Sequence, residues 1–136
     1  MAHDFKRFPE LTNSQMQMYY FQSPHRQILE SFPARVIKVS DGDTIRVETN
    51  FRDFDFPIRL NGIDAPEMKS GGLESKNWLT SKILGKNIYV VVDFFNRVGK
   101  FGRLIGRVIY GGLDMSEESL NNRQSVVFGS DELAWD

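Results

Sequence analysis

Six side chains of this 136-residue chain are of types that could do chemistry together. They are Asp41 and Asp43 in VSDGDTI, Arg59 in PIRL, Asp64 and Glu67 in GIDAPEMK, and Arg103 in KFGRL. Asp-Gly is a common hairpin turn, so Asp41-Gly42-Asp43 predicts a chain reversal that carries a carboxylate on either side. If these two acids met Asp64 and Glu67 at one rim of a domain, they would repel one another unless a cation sat among them. The chain has no Cys, and its only histidines, His3 and His25, lie ahead of this region. The ligands would therefore be oxygens, a set that selects a hard cation such as Ca²⁺ or Mg²⁺. Arg59 stands among apolar residues in a β-rich run, as an edge residue or as a group aimed at a partner. Arg103 opens another such run beside Gly102, which would let a ligand approach the backbone.

The elements that must position these groups follow from periodicity and turn signals. ARVIKV and TIRVE flank the Asp-Gly turn as a hairpin, and FPIRLNGI is a third β-rich run. GGLESKNWLTSKILGK predicts an amphipathic helix presenting Leu73, Trp78, Leu79 and Ile83, bounded by Gly71-Gly72 and Gly85. NIYVVVDFF and FGRLIGRVIY are two further strands joined by NRVGK, and DMSEESLNNRQ is a closing helix with Ser116 as cap and Glu117 and Glu118 in its first turn. The expected fold is α+β and mainly β. It is a five-stranded Greek-key barrel of the OB type, with a helix between strands three and four, a C-terminal helix and an N-terminal helical extension. Residues 1–33 form that extension, with short helices predicted in LTNSQMQMYYFQ and, from Ser23-Pro24, in SPHRQILESF. Residues 34–136 form the barrel domain and a short acidic tail.

Composition narrows the functions. With 40% hydrophobic and 12% aromatic residues the chain has the makings of one folded domain. Disulfides, thiolate metal sites and cysteine nucleophiles are excluded by the absence of Cys. No window approaches 18 uninterrupted apolar residues, and no apolar run follows the basic residues at the N-terminus. The expectation is a soluble, cytoplasmic protein with no membrane partner, and a monomer. The net charge of −1 hides an uneven distribution: residues 34–113 hold 13 basic and nine acidic groups, and residues 114–136 hold one basic and six acidic. A basic body with an acidic tail can attract a polyanion locally.

Taken together, VIKVSDGDTIRV, IRLNGIDAPE and KFGRLIGRVIY resemble, in sequence and order, the motifs of the staphylococcal nuclease (thermonuclease) family. The resemblance runs from about Ala34 to about Gln124. It implies a calcium-dependent nuclease acting on DNA, RNA or both, on single strands and possibly duplex, and leaving 5′-hydroxyl and 3′-phosphate ends. Asp43 and Asp64 match the family's calcium carboxylates, and the main-chain carbonyl of Ala65 matches a third ligand at a position where the family usually has Thr. Asp41 matches an acid that orients metal-bound water, Glu67 the proposed general base, and Arg59 and Arg103 the phosphate-binding arginines. Lys100 and Phe101 fall at the nucleic-acid-binding segment, with Phe101 in place of the usual Tyr. Two further features depart from the prototype. The segment after Glu67 is short, and the long last helix has no counterpart, a place the N-terminal helices with Tyr19, Tyr20 and Phe21 could fill. The alternative is a binding module that keeps the barrel without turnover, although such modules typically lack the acids or arginines present here.

The chemistry is coherent without the analogy. Hydrolysis of an anionic phosphodiester needs its charge neutralised, a water deprotonated and a leaving oxygen stabilised. A metal ion, arginine forks and a carboxylate base are suited to those tasks.

Overall fold

Alternation of apolar and polar residues from Phe32 onward sets the strands of the barrel. The computed structural model describes residues 3–67, 70–99 and 102–129. β1 (Phe32–Asp41) turns Phe32, Ala34, Val36 and Val39 inward. It pairs antiparallel with β2 (Thr44–Thr49), placing Val36 opposite Val47, Val39 opposite Ile45 and Asp41 opposite Thr44. β2 pairs in turn with β3 (Arg52–Leu60), where Ile45 meets Ile58 and Thr44 meets Arg59. After the short β4 (Ile63–Asp64) comes α2 (Gly72–Ile83), then β5 (Asn87–Val91) and β6 (Leu104–Tyr110). The first part of β1 pairs with β5, and β5 with β6. β6 then runs parallel to β3, with Ile58 opposite Leu104 and Arg59 opposite Ile105. That last pairing closes a five-stranded barrel of the OB type, as the sequence predicts.

The core is the inside of this barrel. Val36, Ile45, Val47, Ile58, Val90 and Val108 are fully shielded, and Leu79 and Ile83 of α2 are fully shielded against them. Each such side chain contributes roughly 1.5–3 kcal/mol over leaving it in water. Two details of α2 differ from its predicted face: Leu73 is exposed, and the small polar Ser75 is buried in its place. Ser75 donates its hydroxyl to the carbonyl of Gln124 at 2.7 Å, which repays its burial.

β7 (Leu113–Asp114) leads into α3 (Met115–Asn121). The cap is Asp114 rather than Ser116: its Oδ1 accepts from the Ser116 N–H at 2.8 Å. The Ser116 hydroxyl instead donates to the Asn61 carbonyl at 2.7 Å, tying α3 to the turn after β3. Glu117 and Glu118 occupy the first turn as predicted. β8 (Val126–Val127) then pairs with β4, Val126 opposite Asp64.

The extension departs from expectation in its second half. α1 (Asn13–Tyr19) forms with Thr12 as cap and Gln15 reaching back to complete a capping box. The second helix does not form, and Pro33 lies within β1 opposite Tyr89. His25 bonds locally to the Ser23 hydroxyl, but the backbone of Ile28 and the side chain of Gln27 find their partners elsewhere in the molecule. Ile28 donates to Glu10 Oε2 at 3.1 Å, and its carbonyl accepts from Arg97 Nε at 2.8 Å. The Gln27 amide bonds the Pro9 carbonyl at 2.9 Å and the Leu11 N–H at 2.5 Å. Local helical bonding loses to this tertiary set. Of the three aromatic residues, Phe21 is fully exposed, Tyr20 is 38% exposed and Tyr19 is half-buried against the ring of His3, whereas Glu10, Leu11, Gln27 and Ile28 are buried. No helix among the described residues is long and apolar enough to cross a membrane.

Candidate active site

The barrel brings strand ends from distant parts of the chain to one rim. The β1–β2 turn supplies Asp41 and Asp43, β3 supplies Arg59, β4 supplies Asp64, and the residue just before β6 is Arg103. The turn is narrow for a reason. A Cβ added at Gly42 would stand 2.0 Å from Ser75 Oγ and 2.8 Å from the Ala65 Cβ, so only glycine lets the turn seat beneath α2. The Asp43 N–H donates to Asp41 Oδ1 at 3.1 Å, an Asx-type closure that fixes the second acid's direction.

Asp43 and Asp64 converge on one guanidinium. Arg59 Nη2 lies 2.6 Å from Asp64 Oδ1 and 3.3 Å from Asp43 Oδ2, and all three side chains are at most 20% exposed. Asp43 is held further by the Ala65 N–H, which donates to its Oδ2 at 2.8 Å, and by the Thr44 hydroxyl, which donates to its Oδ1 at 3.1 Å. The other oxygen of Asp64 accepts from the Gly129 N–H at 3.2 Å. Arg103 reaches the same group, its Nη1 standing 3.4 Å from Thr44 Oγ1. Arg59, Asp64, Arg103, Asn96 and Phe128 line a cleft of about 370 Å³ beside the acids, and the ring of Phe128 lies 5.9 Å from the Arg59 guanidinium.

Crowding shows in the titration of the turn. Burial, together with the hydrogen bond to Asp41, pushes the Asp43 carboxyl up to about 6, against the opposing pull of the Ala65 N–H and Arg59. Burial also disfavours charge on Asp41, but hydrogen bonds from the Asp43 side chain and backbone and from Thr44 outweigh it and hold that carboxyl below its ordinary range. The two behave as one acidic pair short of positive charge.

A hard cation fits this donor set. Two carboxylate oxygens that touch the same nitrogen can touch the same ion, since calcium takes oxygens at about 2.3–2.6 Å. Among the described residues, no three Asp, Glu or His side chains group closely enough to hold a metal by themselves. A cation here would rest on Asp43, Asp64, backbone oxygen and water, an open site rather than a closed cage.

The structure thus joins Asp41, Asp43, Asp64, Ala65, Arg59 and Arg103. Among the described residues it gives the Glu67 side chain no ion pair or hydrogen bond to them: that side chain is exposed in the segment before α2, and its carbonyl accepts from the Ser70 and Gly72 N–H groups. Lys100 and Phe101 lie outside the described residues. Three participants are absent from the sequence reading. Thr44 follows Asp43 directly and could have been inferred as the hydroxyl that links an acid to Arg103. Phe128 and Gly129 reach the site only because β8 pairs with β4, a pairing without a local sequence signal.

The class defined by this geometry is an OB-type barrel with an acid and arginine cluster at its rim. No protein-family model matches the chain. It is 41% identical over 75 residues to an uncharacterized endonuclease of Escherichia coli O157:H7, covering 54% of this chain and 46% of that protein. It is 38% identical over 68 residues to a probable staphylococcal-like nuclease of Oryza sativa subsp. japonica, covering 49% of this chain and 17% of the relative. A probable endonuclease of Saccharomyces cerevisiae is 36% identical over 84 residues, covering 53% of this chain and 30% of the relative. The match therefore spans less than half the length of each of these relatives.

Proposed function

We propose that the chain is a nuclease of the staphylococcal nuclease type that hydrolyses phosphodiester bonds of DNA or RNA with calcium as cofactor, leaving 5′-hydroxyl and 3′-phosphate ends. The observation that carries the reading is the meeting of Asp43 and Asp64 on Arg59, with Arg103 tied to the same turn through Thr44. The names borne by the similar proteins point the same way.

In this reading Asp43, Asp64 and the Ala65 carbonyl hold the ion, which supplies charge neutralisation at a phosphoryl oxygen when bound. Arg59 and Arg103 grip the remaining oxygens and tighten as charge builds in the transition state. When a strand enters the cleft, Arg59 exchanges part of its contact with the acids for phosphate. Glu67, exposed in the segment before α2, would have to move toward the cluster to take the proton of the attacking water, and Asp41 would help to orient water beside Asp43. Phe101 and Lys100 contact the flanking nucleotides of a single strand.

One observation favours the alternative of a binding module without turnover: Glu67 makes no side-chain contact with the cluster. A single assay separates the two. Labelled single-stranded DNA, duplex DNA and RNA are incubated with the protein in calcium or chelator, beside Glu67→Gln. The nuclease predicts cleavage in calcium only, reduced roughly 10²–10⁴-fold in the variant. Binding of all three polymers with no cleavage of any would leave the binding module.

A further inference from the structure

The most deeply buried charges among the described residues form a cluster the proposed reaction does not use. Glu10 and the side chains of Arg52 and Arg97 are almost completely shielded. Glu10 Oε1 meets Arg52 Nη1 at 2.6 Å, and Glu10 Oε2 lies 3.6 Å from Arg97 Nη2. Arg97 is held from every side by the N-terminal extension. Its Nε and Nη2 donate to the Ile28 carbonyl at 2.8 and 2.5 Å, and its Nη1 donates to the Leu11 carbonyl at 2.9 Å and to Asn13 Oδ1 at 3.1 Å.

Arg97 belongs to the segment that carries Arg103. Its own carbonyl accepts the Ile105 N–H at 2.7 Å, the carbonyl of Arg103 accepts the Gly99 N–H at 2.9 Å, and Val98 bridges Leu104. The backbone of Arg103 is thus bracketed by bonds whose far ends are Arg97 and Gly99. Two more contacts join the extension to this segment. Asn13 Nδ2 donates to the Phe94 carbonyl at 3.0 Å. Gly102, at φ +66°, lies so close to Phe8 that a Cβ there would stand 2.7 Å from the Phe8 Cβ. The loop that carries a phosphate-gripping arginine is therefore seated on the extension at three places.

We infer that the segment from Phe8 to Ile28 is a positioning element for Arg103, acting through Arg97, Asn13 and the contact of Phe8 with Gly102. What Arg103 does rests on the nuclease reading; that it is held in place by the extension does not. An arginine on a loop between strands must be aimed before substrate arrives, because misplacement by about 1 Å can cost on the order of 10²-fold in rate. Arg97 touches no part of the cleft and is a positioning residue.

Asn13→Ala tests this in the full chain, since it removes one acceptor of Arg97 and the tie to Phe94 while leaving the buried charges paired. The amides of Gly99 and Ile105 should exchange with solvent about fivefold faster, a loss of one hydrogen bond's worth of protection, while those of Val36 and Val47 stay unchanged. Turnover should fall about tenfold, in kcat more than in KM. In an Arg103→Ala background the same substitution should cost nothing further, because the group it positions is gone. Arg97→Lys, which keeps the charge but loses the fork, should repeat the pattern more strongly. Unchanged exchange at Gly99 and Ile105, or an equal loss of turnover with and without Arg103, overturns the inference. If the wild-type protein cleaves nothing, the nuclease reading fails by itself. The exchange arm then decides alone: acceleration confined to the loop sustains the positioning role, and its absence removes it.

Discussion

Replacing Asp43 by Asn should stabilise the folded protein at neutral pH in chelator while abolishing hydrolysis. The Asp43 carboxyl is lifted from 3.8 in a free side chain to about 6 in the fold, with burial the largest cause and Asp41 the next. A raised acid binds its proton more tightly folded than unfolded, so the associated stability is complete below about pH 4 and is lost as pH rises through 6. The interval is about two pKa units at roughly 1.4 kcal/mol each, which sets a ceiling near 3 kcal/mol on what ionising Asp43 costs the fold. Asn carries no charge, and its one oxygen can still accept the Ala65 N–H. It forfeits the ion pair with Arg59 at 3.3 Å, although Arg59 keeps Asp64 at 2.6 Å. The attraction to Arg59 is already contained in the value of about 6, so it is the amide's poorer fit to the carboxylate's other hydrogen bonds that trims the expected net gain to about 1–2 kcal/mol at pH 7.5, shrinking toward nothing near pH 4.

Urea unfolding of both proteins across that range, in chelator and again in calcium, reads the difference directly. Calcium at a hundredfold excess over Kd should add about 2.7 kcal/mol to the wild type and little to the variant, reversing their order. A variant less stable than wild type at pH 7.5 in chelator, or a gain equal at pH 4 and 7.5, would refute the account of Asp43 as a buried carboxylate short of positive charge.

Two substitutions test the packing beneath the site. Gly42→Ala should destabilise by about 1–3 kcal/mol in urea unfolding, because its Cβ would lie 2.0 Å from Ser75 Oγ and 2.8 Å from the Ala65 Cβ; Ser75→Gly in the same chain should recover only a small part, since the Ala65 contact stays and the bond to Gln124 is lost. Arg52→Met should cost about 3–5 kcal/mol by leaving Glu10 with only the longer pair to Arg97, and thermal melts should show partial recovery when Glu10→Gln is added.

The barrel and most of its rim are legible in the sequence because both follow from local signals. Alternation in ARVIKV and TIRVE assigns the inward faces, Asp-Gly assigns the turn, and strand ends of a small barrel must gather at a rim. Asp43, Asp64, Arg59 and Arg103 therefore meet where their positions on the strands put them. What was illegible depends on contacts between remote segments. Ser23-Pro24 is a sound helix start, yet Glu10 and Arg97 claim the backbone of Ile28 and leave that helix unmade. Ser116 can cap a helix, but Asp114 does so once Asn61 has engaged the serine. Phe128 and Gly129 belong to the site through a pairing of two-residue strands, too short for any periodicity to reveal.

The β4–β8 pairing also bears on how the protein is made. Asp64 is anchored by Gly129, 65 residues further along the chain, so its carboxylate lacks that hold until the β8 segment has been synthesised. On a ribosome, the strands that build the barrel emerge well before the clamp that completes the rim. A nascent chain would thus carry a folded barrel with a slack rim, tightened only as residues 126–129 leave the exit tunnel.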